Sequence, residues 1–174
     1  MARVYVASPL GFAESSRLFY TDRLLPLLRG LGHDILDPWA LTDVAAVARV
    51  AALPWGVERY QAWRRLDTTI AETNRRAIEE ADALVAVLDG PDVDSGTAAE
   101  IGFACGQGKP IVGYRGDTRR TGENEGVTVN LLVEYFIRAS GGTIVTQLDE
   151  IAGALAAALT VSERGKYRGP RHGP

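Results

Sequence analysis

The chain has 174 residues, with 19 Lys plus Arg against 22 Asp plus Glu and a formal net charge of −3. That length suits one domain with a core of its own, and a hydrophobic share of 46% beside a charged share of 24% excludes wholesale disorder. The mild acidity offers no field for nucleic-acid phosphates, so no nucleic-acid partner is expected. Residues 83–88 are among the longest unbroken apolar runs, far short of the roughly 20 residues that cross a bilayer. One cysteine and two histidines exclude a disulfide framework and argue against a structural zinc site. Nothing near the N-terminus reads as a signal peptide, and a cytoplasmic location is expected.

In chain order, residues 4–7 read as a buried strand that ends in the turn-rich loop Ser8-Pro9-Leu10-Gly11. Leu18, Leu25 and Leu28 recur at helical spacing over residues 13–31, with Pro26 expected to kink or break the helix. Residues 34–36 form a short second strand, closed by Asp37-Pro38. A helix is expected over 41–53 and a longer one over 58–81, with Leu66, Ile70, Asn74 and Ala77 along one side. The apolar run 83–88 suits a central strand of a parallel sheet covered on both faces. A helix over 98–107, a strand over 110–114, a polar loop over 115–128 and a helix over 129–139 follow. A last strand over 143–145 and a last helix over 147–159 complete a domain over 1–160. The basic tail over 161–174 has no apolar pattern and is expected to be disordered.

Strands alternate with helices five times, which predicts a doubly wound α/β domain with a flavodoxin-like five-stranded parallel sheet in the order 2-1-3-4-5. Ligands of such sheets bind at the carboxyl ends of strands one and three. That rule brings the loop after residue 7 and the loop over 89–97 to one crevice.

The second loop reads Asp89-Gly90-Pro91-Asp92-Val93-Asp94-Ser95-Gly96-Thr97-Ala98-Ala99-Glu100. One reading is a capping box, in which Thr97 caps the helix and Glu100 reaches back to a backbone N–H. The other starts from the charges. A phosphate cradle wants backbone N–H groups and a Lys or Arg, whereas this loop carries carboxylates alone. Carboxylates in a crevice suit hydroxyl recognition and acid, base or nucleophilic work on a sugar. The EF-hand spacing for calcium is not met, and neither a metal nor a cofactor is expected.

The run from Leu88-Asp89-Gly90 through Asp94-Ser95-Gly96-Thr97-Ala98-Ala99-Glu100-Ile101-Gly102, followed by Gly108-Lys109-Pro110-Ile111, resembles the nucleoside 2-deoxyribosyltransferase family. Tyr5, Asn130 and Gly113-Tyr114-Arg115-Gly116-Asp117 also fit in order, so the resemblance spans roughly residues 3–160. It implies cleavage of the N-glycosidic bond of a 2′-deoxynucleoside and transfer of the deoxyribosyl group to another nucleobase. Glu100 would be the nucleophile that forms a covalent intermediate, with Tyr5 holding it; a core aromatic is the other reading of Tyr5. Asp94 would bind the sugar 5′-hydroxyl and repel a 5′-phosphate, with Ser8, Gly96 and Phe12 completing the substrate site. Asn130 would reach the same sugar from a neighbouring subunit, which implies at least a dimer; a helix cap is its alternative.

Asn74 departs from the family pattern, which commonly places there an aspartate that protonates the leaving base. An amide can hydrogen-bond the base but cannot act as its acid near neutrality. The partners implied are nucleosides and nucleobases. Trp39 and Phe12 follow strands two and one and are candidates for stacking on a base, or partial core. Arg115, Arg119 and Arg120 read as a solvated basic loop, and Cys105 as a small buried hydrophobe. Two alternatives stay open: hydrolysis of a nucleoside or nucleoside 5′-monophosphate, and a non-catalytic nucleoside-binding module.

Overall fold

The computed structural model describes residues 1–166. A five-stranded sheet runs in the order β2-β1-β3-β4-β5, with every pairing parallel, as the alternation of strands and helices predicts. Its strands are β1 (Arg3–Ala7), β2 (Asp34–Leu36), β3 (Ala83–Val87), β4 (Ile111–Tyr114) and β5 (Ile144–Val145). All five residues of β3 are buried, because this strand lies inside the sheet and both of its faces are covered.

Side chains alternate across a strand, and that period divides the core into two layers. Tyr5, Ala7, Leu84, Ala86 and Ile111 pack under α5 (Val57–Glu80), α6 (Ser95–Gly106) and α7 (Leu131–Ala139). Val4, Val6, Val85, Val87 and Val112 pack on the opposite face under α1 (Glu14–Phe19), α2 (Leu25–Gly30) and α8 (Glu150–Lys166). The parity of β1 thus decides that Tyr5 meets α6 and not α8.

Pro26 does not break the first helix. A π-helical turn at Tyr20–Leu24 joins α1 to α2, and the proline follows directly in the first turn of α2. The wider turn fits a position where one i→i−4 hydrogen bond is missing. The helix expected over 41–53 is the shorter α4 (Val44–Ala51), preceded by a separate helix not expected from the sequence, α3 (Pro38–Leu41). The extended backbone of Thr42 and Asp43 separates them, and the Asp43 carboxylate caps α4 by accepting from Ala46 N at 3.0 Å. At the C-terminus α8 continues to Lys166, beyond the end expected at 159, so the first part of the presumed tail is helical. The rest of that tail lies outside the described residues. No helix among the described residues is long and apolar enough to cross a membrane.

Arg115 corrects the reading of residues 115–128 as a solvated loop. It is 1% exposed. Its guanidinium donates to the carbonyls of Leu88, Gly90 (3.3 Å) and Arg119 (2.6 Å from Nη2, 3.2 Å from Nε). One planar fork thereby ties the loop after β3 to the loop after β4, a task suited to several fixed donors on a rigid plane. Arg119 and Arg120 are exposed, as expected.

Removing that fork leaves several buried carbonyls unsatisfied. Arg115→Ala is expected to destabilise the fold by about 3 kcal/mol in urea denaturation. Arg115→Lys should recover only part of this loss, since an ammonium cannot span the same set of acceptors. A wild-type midpoint for the alanine variant would show that the latch contributes nothing.

Candidate active site

The carboxyl ends of β1 and β3 open onto a cavity of about 500 Å³, a size suited to a small organic ligand. Ser8 and Phe12 reach it from the loop after β1, Pro38 and Trp39 from α3, and Ile70 and Asn74 from α5. Asp94, Ser95, Gly96, Thr97 and Glu100 reach it from the start of α6. Of the residues expected at the site, Ser8, Phe12, Asn74, Asp94, Gly96 and Glu100 therefore share one cavity.

Helix α6 starts at Ser95, three residues earlier than its apolar pattern suggests. Asp94 is the N-cap: its Oδ2 accepts from Thr97 N at 3.0 Å and from Thr97 Oγ1 at 3.3 Å. Thr97 is therefore inside the first turn and buried, and the capping box with Thr97 as cap does not form. Glu100 is released from that duty. It turns inward, and Oε1 accepts from the Tyr5 hydroxyl at 2.6 Å. The other carboxylate oxygen, Oε2, makes no hydrogen bond among the described residues.

Tyr5 has no exposed surface and lies behind Glu100, so it supports the cavity without lining it. Burial and the adjacent Glu100 carboxylate push its phenol far above the ordinary range, and it remains a donor. Burial also pushes Glu100 up from 4.5 to about 7. The Tyr5 hydrogen bond opposes that rise by stabilising the anion, and the Asp94 charge adds to it. Glu100 is thus poised to change charge near neutrality.

Asn74 brings an amide to the wall, with Oδ1 buried and without a hydrogen-bond partner among the described residues. A second tyrosine–carboxylate pair stands behind the opposite wall. Tyr20 donates to Asp37 Oδ1 at 2.6 Å, and the same oxygen accepts from Trp39 N at 3.0 Å, capping α3. The Trp39 indole N–H points at the Ser8 carbonyl (3.4 Å), and Phe12 meets the ring edge-on at 4.6 Å between centroids. Gly11 is needed beneath them, since a Cβ there would lie 2.2 Å from the indole.

Asn130 is not in this cavity. It caps α7, its Oδ1 accepting from Leu132 N (3.1 Å) and Val133 N (3.4 Å) while its amide donates to Glu123 Oε1 at 2.7 Å. Cys105 is partly buried and packs against the layer under α6. Thr42, Val47 and the Tyr20–Asp37 pair were missed from sequence. Ile70 and Asn74, four residues apart on α5, were visible as one face, although that face meets a cavity and not only core.

The model of the nucleoside 2-deoxyribosyltransferase family matches residues 4–132, most of the chain and every residue lining the cavity. The chain belongs to this family. A 2-deoxyribosyltransferase from Bacillus psychrosaccharolyticus superposes with a TM-score of 0.64 at 23% identity, covering 91% of this chain and 96% of that one. A CMP N-glycosidase from Clostridium botulinum superposes at 0.52 with 19% identity, covering 88% and 98%. At such identities these two structures establish a shared fold. An uncharacterized protein of Schizosaccharomyces pombe is 28% identical over 51% of this chain and 61% of its own length. The chain thus spans about three fifths of the curated relative it matches.

A carboxyl raised toward 7 makes the native chain hold its proton more tightly than the unfolded chain does. The resulting stability is fully present below the unfolded value of 4.5 and is lost as pH rises through about 7. Glu100→Gln keeps an acceptor for Tyr5 and removes the charge. Calorimetry should find it melting several degrees above wild type at about pH 8, with the two converging near pH 4. A constant difference across pH would show that the Glu100 charge is not strained.

Proposed function

We propose that this chain cleaves the N-glycosidic bond of 2′-deoxynucleosides and transfers the deoxyribosyl group to another nucleobase through a covalent ester on Glu100. The observation that carries this reading is a half-buried carboxylate held by one oxygen on Tyr5, its other oxygen uncommitted at a ligand-sized cavity. Such a carboxylate meets the developing oxocarbenium carbon as retaining glycosidases do. Glu100 Oε2 bonds to the anomeric carbon while the C–N bond breaks, and its pair of electrons leaves with the base. An incoming base then takes the sugar and restores the carboxylate. Tyr5 fixes the rotamer and moderates the charge, a preorganised donor at the reacting group.

Asp94 supports a free 5′-hydroxyl on the substrate. Among the described residues both side-chain hydrogen bonds of Asp94 use Oδ2, leaving Oδ1 to accept from a sugar hydroxyl. No Lys, Arg or His lines the cavity among the described residues, and two carboxylates there repel a 5′-phosphate. Hydrolysis is the nearest second reading: water is a smaller acceptor for the same intermediate, and one structural neighbour is a CMP N-glycosidase. Since Asn130 lies outside this chain's own cavity, its sugar contact belongs to this reading only as a contribution to a second copy's site.

Thymidine with adenine should yield deoxyadenosine, followed chromatographically, and Glu100→Ala should lose at least about a thousandfold in exchange. Because Glu100 attacks as the anion, kcat/KM should rise with pH through about 7. Tyr5→Phe removes a hydrogen bond that favours the anion and should move that limb upward. Thymine release without exchange would favour hydrolysis. Undiminished exchange by the alanine variant would remove Glu100 from the mechanism.

A further inference from the structure

We infer that the donors this site is built for are 2′-deoxynucleosides whose base is a positively charged, N-alkylated heterocycle, able to depart without being protonated. This rests on the reading of Glu100 as nucleophile and adds the class of leaving group.

Among the described residues the cavity has no side chain free to act as an acid toward the base. Its ionisable lining, among the described residues, consists of Asp94 and Glu100. Glu100 forms the bond to the anomeric carbon, and Asp94 acts as an acceptor at the start of α6. Asn74 faces the cavity from α5, and in either orientation its amide carries no transferable proton near neutrality. A neutral base leaving such a site departs as an anion between carboxylates.

The same residues complement a cationic base. Two carboxylates without a lining cation give the cavity a negative field. Asn74 adds a buried carbonyl oxygen with no hydrogen-bond partner among the described residues, a cost that a ligand N–H or electron-poor ring edge would relieve. The indole of Trp39, backed edge-on by Phe12 at 4.6 Å, supplies an aromatic surface to a flat cation. When the C–N bond of an N-alkylated purine nucleoside breaks, both electrons go to the ring nitrogen and cancel its positive charge. The new C–O bond to Glu100 completes the step, and no proton moves. Water or another base then displaces Glu100 from the sugar and gives its proton to solvent.

The test compares 7-methyl-2′-deoxyguanosine with 2′-deoxyguanosine, base release being measured against protein-free and Glu100→Ala controls to subtract spontaneous loss. General-acid assistance ordinarily supplies 10²–10⁴ in rate, so kcat/KM for the methylated donor should exceed that for deoxyguanosine by about 100-fold or more. Asn74→Asp installs the absent acid in nearly the same shape. It should raise deoxyguanosine turnover at least about tenfold, contract the ratio between donors, and add a fall in activity at high pH. Comparable turnover of the two donors by wild type would overturn the inference while leaving the nucleophile reading standing. So would an undiminished ratio in Asn74→Asp. Cleavage of neither donor would overturn both.

Discussion

The Tyr5 hydroxyl donates to Glu100 Oε1 at 2.6 Å across 95 residues of sequence, and the geometry of the site follows from holding that contact. Tyr5 can reach Glu100 only because β1 pairs with β3 in a register that sets Tyr5 beside Leu84 and turns both toward α6. A slip by one residue would send Tyr5 to the other face, under α1 and α8. Glu100 can reach Tyr5 only because Asp94, not Thr97, closes the N-terminus of α6. The sheet's parity and the helix's starting point therefore meet in one hydrogen bond.

The arrangement opposes stability to chemistry at a single side chain. Burial raises Glu100 to about 7 and weakens the native state once the carboxyl ionises. In the proposed mechanism the same burial leaves an anion with little solvation facing a developing cation, where electrostatic attraction is least screened. Tyr5 limits the penalty without removing it. The Tyr20–Asp37 pair repeats the motif for a different purpose, since its carboxylate also caps α3 and sets the position of Trp39. One pair holds the wall that carries Glu100, and the other holds the wall that carries Trp39.

Much of this was legible in residue order. The fully apolar run after Asp82 announced a central parallel strand, and the alternation of strands and helices announced the sheet order, because each pattern reports burial directly. The carboxylates of the loop before α6 were legible as chemistry because no basic residue stands among them. The helix start was not. Thr97-x-x-Glu100 satisfies the spacing of a capping box, but Asp94 offers a competing cap three residues earlier, and the pull of Tyr5 on Glu100 is a tertiary contact with no local trace. Arg115 was hidden for a similar reason: a charged residue in a polar loop reads as solvated until the carbonyls that surround it are known. Asp37 looked like a turn residue and Tyr20 carried no sign of its own, and only the packing of α2 against β2 brings them together.

The central claim is that Glu100 becomes covalently bonded to the sugar. Its most direct test is to mix the protein with a deoxynucleoside donor in the absence of an acceptor base, quench in acid, and map the digested protein by mass spectrometry. The account predicts one deoxyribosyl group on the peptide containing Glu100, formed with stoichiometric release of base and discharged when an acceptor base is added before the quench. Steady turnover of the same donor with a sugar carried elsewhere, or with no adduct at any quench time that captures the burst of base release, would contradict it.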